Sequence, residues 1–424
     1  QRVLIENLYD FTNLNQFNFT AKIKANGMVL KKIQLETIDV KTHTSKLVRI
    51  PLSGIDFKPN TEYFLEFSAT TKKQWSLLPK GFEVAKEQIY LSKKFKKEEI
   101  ITKKTADVKI KNNNKNLTVF NADFNITFDK QKGQIISYTY QRKEILKDKK
   151  GPKINFWRPP TDNDLGNHME TKNIEWKNAT LNNSVISFNY KKINNNQIKV
   201  TVNYNLPGVK TTHNTVYTVF GNGIVKIKNT LNKTDYKADI PRVGMRMQIA
   251  KEFNNVTYYG RGPWENYKDR KTSTFVNIFK SKVADFYVPY IRPQENGNRT
   301  DVRWFALSNN KSNGLLIASE IQKGISISAL HMPNEDFDIT NNLDYSKKNK
   351  KANFSKHTID IKEQDLIQLN IDAEQRGLAG DDSWWSKPQE KYLIKGSKKH
   401  NYTFYLIPFT NGNTKKFIKL NNNY

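Results

Sequence analysis

Among the 424 residues there is no cysteine. That excludes disulfides, thiolate metal sites and a thiol nucleophile, but not secretion, since exported proteins need not use disulfides. Runs of about 18 apolar residues are also absent, so no membrane-spanning helix is expected. Nothing at the N-terminus has the form of a signal peptide. The opening Gln1-Arg2-Val3-Leu4-Ile5 reads as the middle of a strand, and the chain is expected to begin partway through a longer polypeptide. A helical period sustained over three turns is missing throughout, which removes α/β barrels and helical bundles from consideration. No short repeat points to a solenoid or propeller.

Acidic residues are scarce as well: 41 Asp and Glu against 70 Lys and Arg give a net charge of +29. Nucleic-acid sites favour arginine and gather it on one face. Here lysine far outnumbers arginine and is scattered with asparagine, as in KKINNNQIKV, so the charge reads as a solvated coat and no nucleic-acid partner is expected.

What is present is period-two alternation. Phe17, Phe19, Ala21 and Ile23 share a face and lead into the turn Asn26-Gly27 and the run Met28-Val29-Leu30. Ile38 and Val40, Lys46 to Ile50 and Tyr63 to Phe67 come next. Short strands parted by turn signals predict an immunoglobulin-like sandwich over residues 1–90. The charged, aperiodic residues 91–104 read as a linker. From 105 to 424 strands resume, for example Ile135 to Tyr140 and Val216 to Phe220, and predict one large sandwich. The fold class expected is all-β.

Four loop-like clusters interrupt the second domain. The first, NFWRPPTDNDLG (155–166), carries prolines that cannot join a ladder, and acids able to form Asx-turns or accept from Arg158. Asp and Asn oxygens suit a hard cation, but no following glutamate completes a calcium loop, and a structural turn is the simpler expectation. The second is YYGRGPWENYKDR (258–270), whose Gly-x-Gly lacks the third glycine and the helix of a dinucleotide site. The third is YVPYIRPQENGNRTDVR (287–303). The fourth, NIDAEQRGLAGDDSWW (370–385), joins glycines, acids and two indoles in a composition suited to stacking on a sugar. Six acids in these clusters (Asp162, Asp164, Glu265, Glu295, Asp381 and Asp382) are formally available for the paired-carboxylate chemistry of glycoside hydrolysis. Most sit beside arginine, asparagine or glycine turns, where a carboxylate fixes loop geometry. The six histidines show no metal-ligand spacing and there is no GxSxG elbow.

In the same order, NFWRPPTDNDLG, GRGPWENYKDR, YVPYIRPQENG and NIDAEQRGLAGDDSW resemble motifs in the C-terminal part of β-galactosidases of glycoside hydrolase family two, and the opening YDFTNLNQFNF resembles the domain before it. The resemblance covers residues 1 to about 409. It implies an immunoglobulin-like domain followed by a galactose-mutarotase-like supersandwich. It further implies a parent enzyme that hydrolyses terminal β-D-galactosides with retention, on a (β/α)8 barrel for which this chain has no counterpart. The chain alone is then expected to be inactive and to hold no catalytic residue, cofactor or metal. Mg2+ or Na+ would belong to the parent's barrel. Trp384 is the residue the resemblance assigns to substrate binding, and Trp385 is expected to pack. Gly166, Asn167, His168, Met169 and Glu170, within the segment running to Asn173, would form a mobile loop bordering the active site. Arg158, Asp162, Asp164, Asp381 and Asp382 would support the loops, with Glu265, Asn266, Glu295 and Asn296 as framework.

The implied partners are the galactoside and the barrel domain, with homo-oligomers compatible with large sandwiches, and a bacterial cytoplasm or periplasm as the setting. Two alternatives belong to other classes: a freestanding carbohydrate-binding module, and a mutarotase-like epimerase using His213 or His331 as an acid–base group.

Overall fold

Alternation at Phe17–Ala25 buries Phe17, Phe19, Ala21 and Ile23 on one face. A strand places residues i and i+2 on the same side, so the apolar set can only be satisfied by a second layer. In the computed structural model, which describes residues 2–91, 105–319, 324–342, 357–382 and 385–422, that strand is central to a four-stranded antiparallel sheet. Its neighbours are Met28–Gln34 and Tyr63–Thr71, the latter followed by Glu83–Tyr90. Arg2–Glu6 and Ser45–Arg49 pair as a second, two-stranded sheet, and Val3 and Val48 pack against Ala21, Ile23 and Leu65. The hairpin turn has Asn26 at φ 47° and Gly27 at φ 78°. Two consecutive left-handed residues form the turn whose twist matches antiparallel strands. Met28, Val29 and Leu30, an apolar run in the sequence, are all exposed.

The chain divides into two compact units, Gln1–Glu98 and Glu99–Tyr424. The residues read as a linker, apart from Leu91, lie outside the described residues.

In the larger unit a nine-stranded antiparallel sheet runs in the order Ser184–Asn194, Gln197–Leu206, Thr211–Phe220, Val225–Leu231, His400–Phe409, Gly314–Ser319, Trp304–Ser308, Asn255–Gly262, Phe275–Lys282. Thr211–Phe220 buries every second residue, the pattern of a sheet with one wet face. Two five-stranded sheets supply the other layer. One spans Lys109–Glu144. The other orders Lys153–Asn155, Arg242–Ile249, Ile367–Gln375, Ile325–Leu330 and Arg299–Val302. A single apolar core joins all three sheets: Val119, Ile126 and Tyr138 from one, Met245, Leu369 and Ile327 from another, Val202, Phe404 and Leu406 from the nine-stranded sheet. Each such side chain, fully buried, contributes roughly 1.5–3 kcal/mol.

The second of these five-stranded sheets buries both faces of its strand Arg242–Ile249. Every residue of Arg242–Ile249 is buried. Val243, Met245, Met247 and Ile249 face the core, whereas Arg242, Arg246 and Gln248 form a buried polar face with Gln368, Asn370 and Ser328. Register on that face is fixed by hydrogen bonds, including Gln248 Nε2 to Gln368 Oε1 (3.1 Å) and Asn370 Nδ2 to Ser328 Oγ (3.0 Å). A bulge at Ala373 shifts the pairing, so that Val243 opposes Glu374 and Gly244 opposes Asp372. An inserted residue re-aims the side chains beyond it. Both Asp372 and Gln375 therefore reach the side where Arg242 lies.

The segment expected to be a mobile loop is helical. Within Gly166–Asn173 runs the short helix α2 (Met169–Lys172), flanked by α1 (Asp162–Gly166) and α3 (Ile174–Leu181). Thr161 and Asp164 build a reciprocal capping box that starts α1. His168, at φ 62°, breaks the path between α1 and α2. Asn167, Met169, Asn173 and Trp176 are buried, which anchors the segment to the sandwich.

Candidate functional site

All four motif clusters meet around one cleft of about 580 Å³. The first contributes Thr161, Asp162 and Asn163, the second Glu265, Tyr267, Asp269 and Arg270, the third Tyr290, Gln294 and Glu295, and the fourth Leu378, Ala379 and Gly380. Gln389 and Tyr392 close the rim. Polar oxygens, guanidinium and phenol rings in one concavity make a surface able to hold a polyhydroxylated ligand.

Beneath the cleft lies a buried ionic lattice. Arg158, wholly buried, donates from Nε and Nη2 to the two Asp164 oxygens at 3.0 and 2.9 Å. It also donates from Nη1 and Nη2 to the carbonyls of Arg376 (2.7 Å) and Gly377 (2.9 Å). One guanidinium thus ties the start of α1 to the root of the fourth motif. Arg376 answers in the other direction, donating to Asn167 Oδ1 (3.3 Å) and pairing with Asp239 (3.0 Å). Burial pushes the Asp164 carboxyl up, but Arg158 and Arg376 together outweigh it and hold it below the ordinary carboxylate range.

Arg242 forms the second node, 2.7 Å from Glu295 and 3.2 Å from Asp372. Gln375 donates to Glu295 as well (3.1 Å). Asp372 has no aligned hydrogen bond to either oxygen. Burial raises its carboxyl to about 7, the attraction of Arg242 being offset in part by the Glu295 charge.

The remaining motif residues are framework in their contacts. Asp162 accepts from Arg292 Nε (2.6 Å) and Gln294 Nε2 (2.8 Å), joining the first motif to the third. Glu265 accepts from Gly297 N (2.9 Å), the Tyr290 hydroxyl and Arg270. Asn266 accepts from Thr300 N (2.8 Å), and Asn296 donates to Gln294 O (2.9 Å). Asp381 takes Gln389 Nε2 (3.1 Å). Asp382 accepts from the backbone N of Trp385 (3.1 Å) and of Ser386 (3.3 Å), and from the Ser386 hydroxyl (2.6 Å). Gly166 ends α1, and His168 pairs with Glu170 at 3.6 Å. Trp384 lies outside the described residues. Trp385, expected to pack, is 70% exposed, and its ring lies 6.0 Å from that of His168.

Sequence reasoning missed Asp269, whose carboxylate accepts from Leu378 N (2.7 Å) and Ala379 N (3.1 Å) and so holds the fourth motif against the second. It also missed Asp239, Arg242, Asp372 and Arg376 as lattice members. Only the Thr161–Asp164 spacing, a capping-box pattern, carried a local signal. His213 is buried against Phe156 and Tyr204, and burial pushes its imidazole down to about 3. His331 is buried with Nδ1 2.8 Å from Leu366 O. Neither histidine lines the cleft. Among the described residues no three His, Asp or Glu side chains gather to hold a metal ion.

Fold and cleft define the class, a two-unit all-β chain whose larger sandwich gathers its conspicuous loops on one rim. Residues 120–406 match the family described as beta galactosidase small chain, and residues 3–92 match beta-galactosidase, domain 4. The β-galactosidase of Priestia megaterium is 32% identical over 95% of this chain. That of Streptococcus thermophilus is 25% identical over 96%. The chain spans 37% of the length of each of these two relatives. It belongs to the β-galactosidase small-chain family and corresponds to the C-terminal portion of those enzymes. A galactose mutarotase related enzyme from Lactobacillus acidophilus overlaps 70% of the chain at a TM-score of 0.40 and 9% identity, too loosely to carry any inference.

Proposed function

We propose that this chain is the non-catalytic C-terminal part of a retaining β-galactosidase, and that the rim where its four motifs meet lends one wall of the sugar site to a (β/α)8 barrel elsewhere in the protein. The observation that carries the reading is the convergence of all four motifs on one cleft. Supporting it, four of the candidate acids in those motifs are engaged in holding loops: Asp164 by Arg158, Glu295 by Arg242, Glu265 by Arg270, and Asp382 by the backbone. A catalytic pair needs one carboxyl protonated and one free to attack or to activate water, and these contacts hold carboxylates as acceptors. The proton chemistry is therefore assigned to the barrel.

Trp384 is the wall residue in this reading. In the full-length enzyme, Trp384→Ala raises KM for an aryl β-galactoside about fivefold or more, the equivalent of a stacking contact of about 1 kcal/mol, while the unfolding midpoint stays close to wild type. The chain by itself gives no turnover. An unchanged KM in the variant, or hydrolysis by the isolated chain that is lost on mutating one of its own acids, refutes the assignment.

A further inference from the structure

We infer that the sheet face carrying Lys153 and Arg246 is a binding site for a small phosphate-type oxyanion, free or as the monoester of a hydroxylated molecule. The site shares no lining residue with the cleft where the four motifs meet.

Sheet register creates it. Lys153–Asn155, at the sheet edge, pairs antiparallel with Arg242–Ile249, so that Lys153 lies directly opposite Arg246. Like charges in facing positions destabilise a sheet, and here Arg246 is buried and Lys153 half-buried. Buried charge calls for compensation, and the compensation in place is incomplete. Glu335 reaches Arg246 Nη1 at 2.6 Å, but its side chain is 49% exposed. Among the described residues, Arg246 Nε has no acceptor and the Lys153 ammonium has no hydrogen bond or ion pair. Burial first, and the Arg246 charge next, push that ammonium down to about 8, with Glu335 opposing them and Lys150 adding to them. Three cations, Lys150, Lys153 and Arg246, thus face one carboxylate. A single dianion would neutralise the surplus.

These groups line a pocket of about 270 Å³ together with Gln248 and Gln368. Sites for drug-sized molecules run to roughly 300–1,000 Å³, so the occupant is small. Gln248, also buried, specifies it further. Its Nε2 donates to Gln368 Oε1 (3.1 Å), while its Oε1 receives no donor among the described residues. The wall therefore asks for negative oxygens at Arg246 Nε and Lys153, and for a hydroxyl at Gln248 Oε1. A monoprotonated phosphate, or a phosphate monoester of a polyol, offers both in one molecule. A simple carboxylate supplies only the first.

The test is isothermal titration calorimetry on the full-length protein at fixed ionic strength, with inorganic phosphate, glycerol phosphate and glycerol as probes. Wild type binds a phosphate-bearing probe and gives no comparable heat with glycerol. Lys153→Gln, which breaks no hydrogen bond or ion pair among the described residues, weakens that affinity about tenfold, the worth of one charge-assisted hydrogen bond. Glu335→Gln, which removes the competing carboxylate, tightens it. Opposite responses to two single-charge changes separate this site from the general lysine coat. Tighter binding of glycerol phosphate than of inorganic phosphate identifies the monoester as the occupant, and equal affinities identify the free anion. An affinity unchanged in Lys153→Gln means that phosphate is held by the coat and overturns the inference, as does a wild-type protein that binds neither phosphate-bearing probe.

Discussion

Removing the Arg158 guanidinium with Arg158→Met should destabilise the larger unit by about 3–5 kcal/mol, the usual cost of leaving one partner of a buried ion pair uncompensated. The structure puts the expectation in the upper half of that range. Both residues are fully buried, four hydrogen bonds are lost at once, and the Arg376 and Gly377 carbonyls lose their guanidinium donor. Asp164 is left with Arg376 at 3.8 Å as its nearest cation. Since domains are commonly stable by only about 5–15 kcal/mol, a shift of this size is visible in a urea titration followed by tryptophan fluorescence. The discriminating experiment is a double-mutant cycle. Asp164→Leu alone strands the arginine and costs a similar amount, whereas Arg158→Met with Asp164→Leu leaves neither charge behind. The double variant should then cost about 2 kcal/mol less than the sum of the singles. Asp164 adds a sign test. Its folded carboxyl is held low, so its contribution is present above the unfolded value near 3.9 and fades as pH falls through the folded one. Singles costing under about 1 kcal/mol, or a cycle additive within about 0.5 kcal/mol, would show that the two motifs are held together by something other than this pair.

Asp372 predicts the opposite pH behaviour. Its folded carboxyl titrates near 7, so between about pH 4 and about pH 7 the native state binds a proton the unfolded chain has released. Stability should fall across that window by up to about 1.4 kcal/mol per pH unit. Asp372→Asn flattens that component of the profile, and a variant profile parallel to wild type refutes the assignment. Gly380→Ala should leave the unfolding free energy from a urea titration within about 1 kcal/mol of wild type yet speed amide exchange at residues 378–382 and 385–386, because the added Cβ forces the loop away from Ser386. Protection unchanged there would mean the loop accommodates the methyl group.

The sandwich was legible in the sequence because many of its strands announce themselves locally. Phe17 to Ile23 and Val216 to Phe220 show the period of two, and the structure buries the faces that period selects. The helical segment at 162–181 was not legible. None of its three helices reaches three turns, and Trp176 and Ala179 are too few to mark an apolar stripe. The ionic lattice was legible only in part. Arg158 and Asp164 are six residues apart and invite pairing, but Arg376 lies more than two hundred residues from Asn167, and Arg242 fifty-three from Glu295. Contacts of that separation are created by sheet register, and the bulge at Ala373 that brings Asp372 and Gln375 to Arg242 has no signature in composition.

The lattice also divides the labour between the two basic residue types. Arg158, Arg242, Arg246, Arg299 and Arg376 are buried, each engaged by carboxylates, carbonyls or an aromatic face. A fork of planar donors is what such positions require, and an ammonium cannot replace it. The lysines that dominate the charge do different work, governing how the molecule adsorbs, repels its neighbours and stays dispersed. Genomic drift toward lysine could therefore recolour the exterior almost without limit, but would halt at these five sites. Reversing the sign of the surface by substituting exposed lysines should change the protein's chromatography and solubility and leave its architecture as it is.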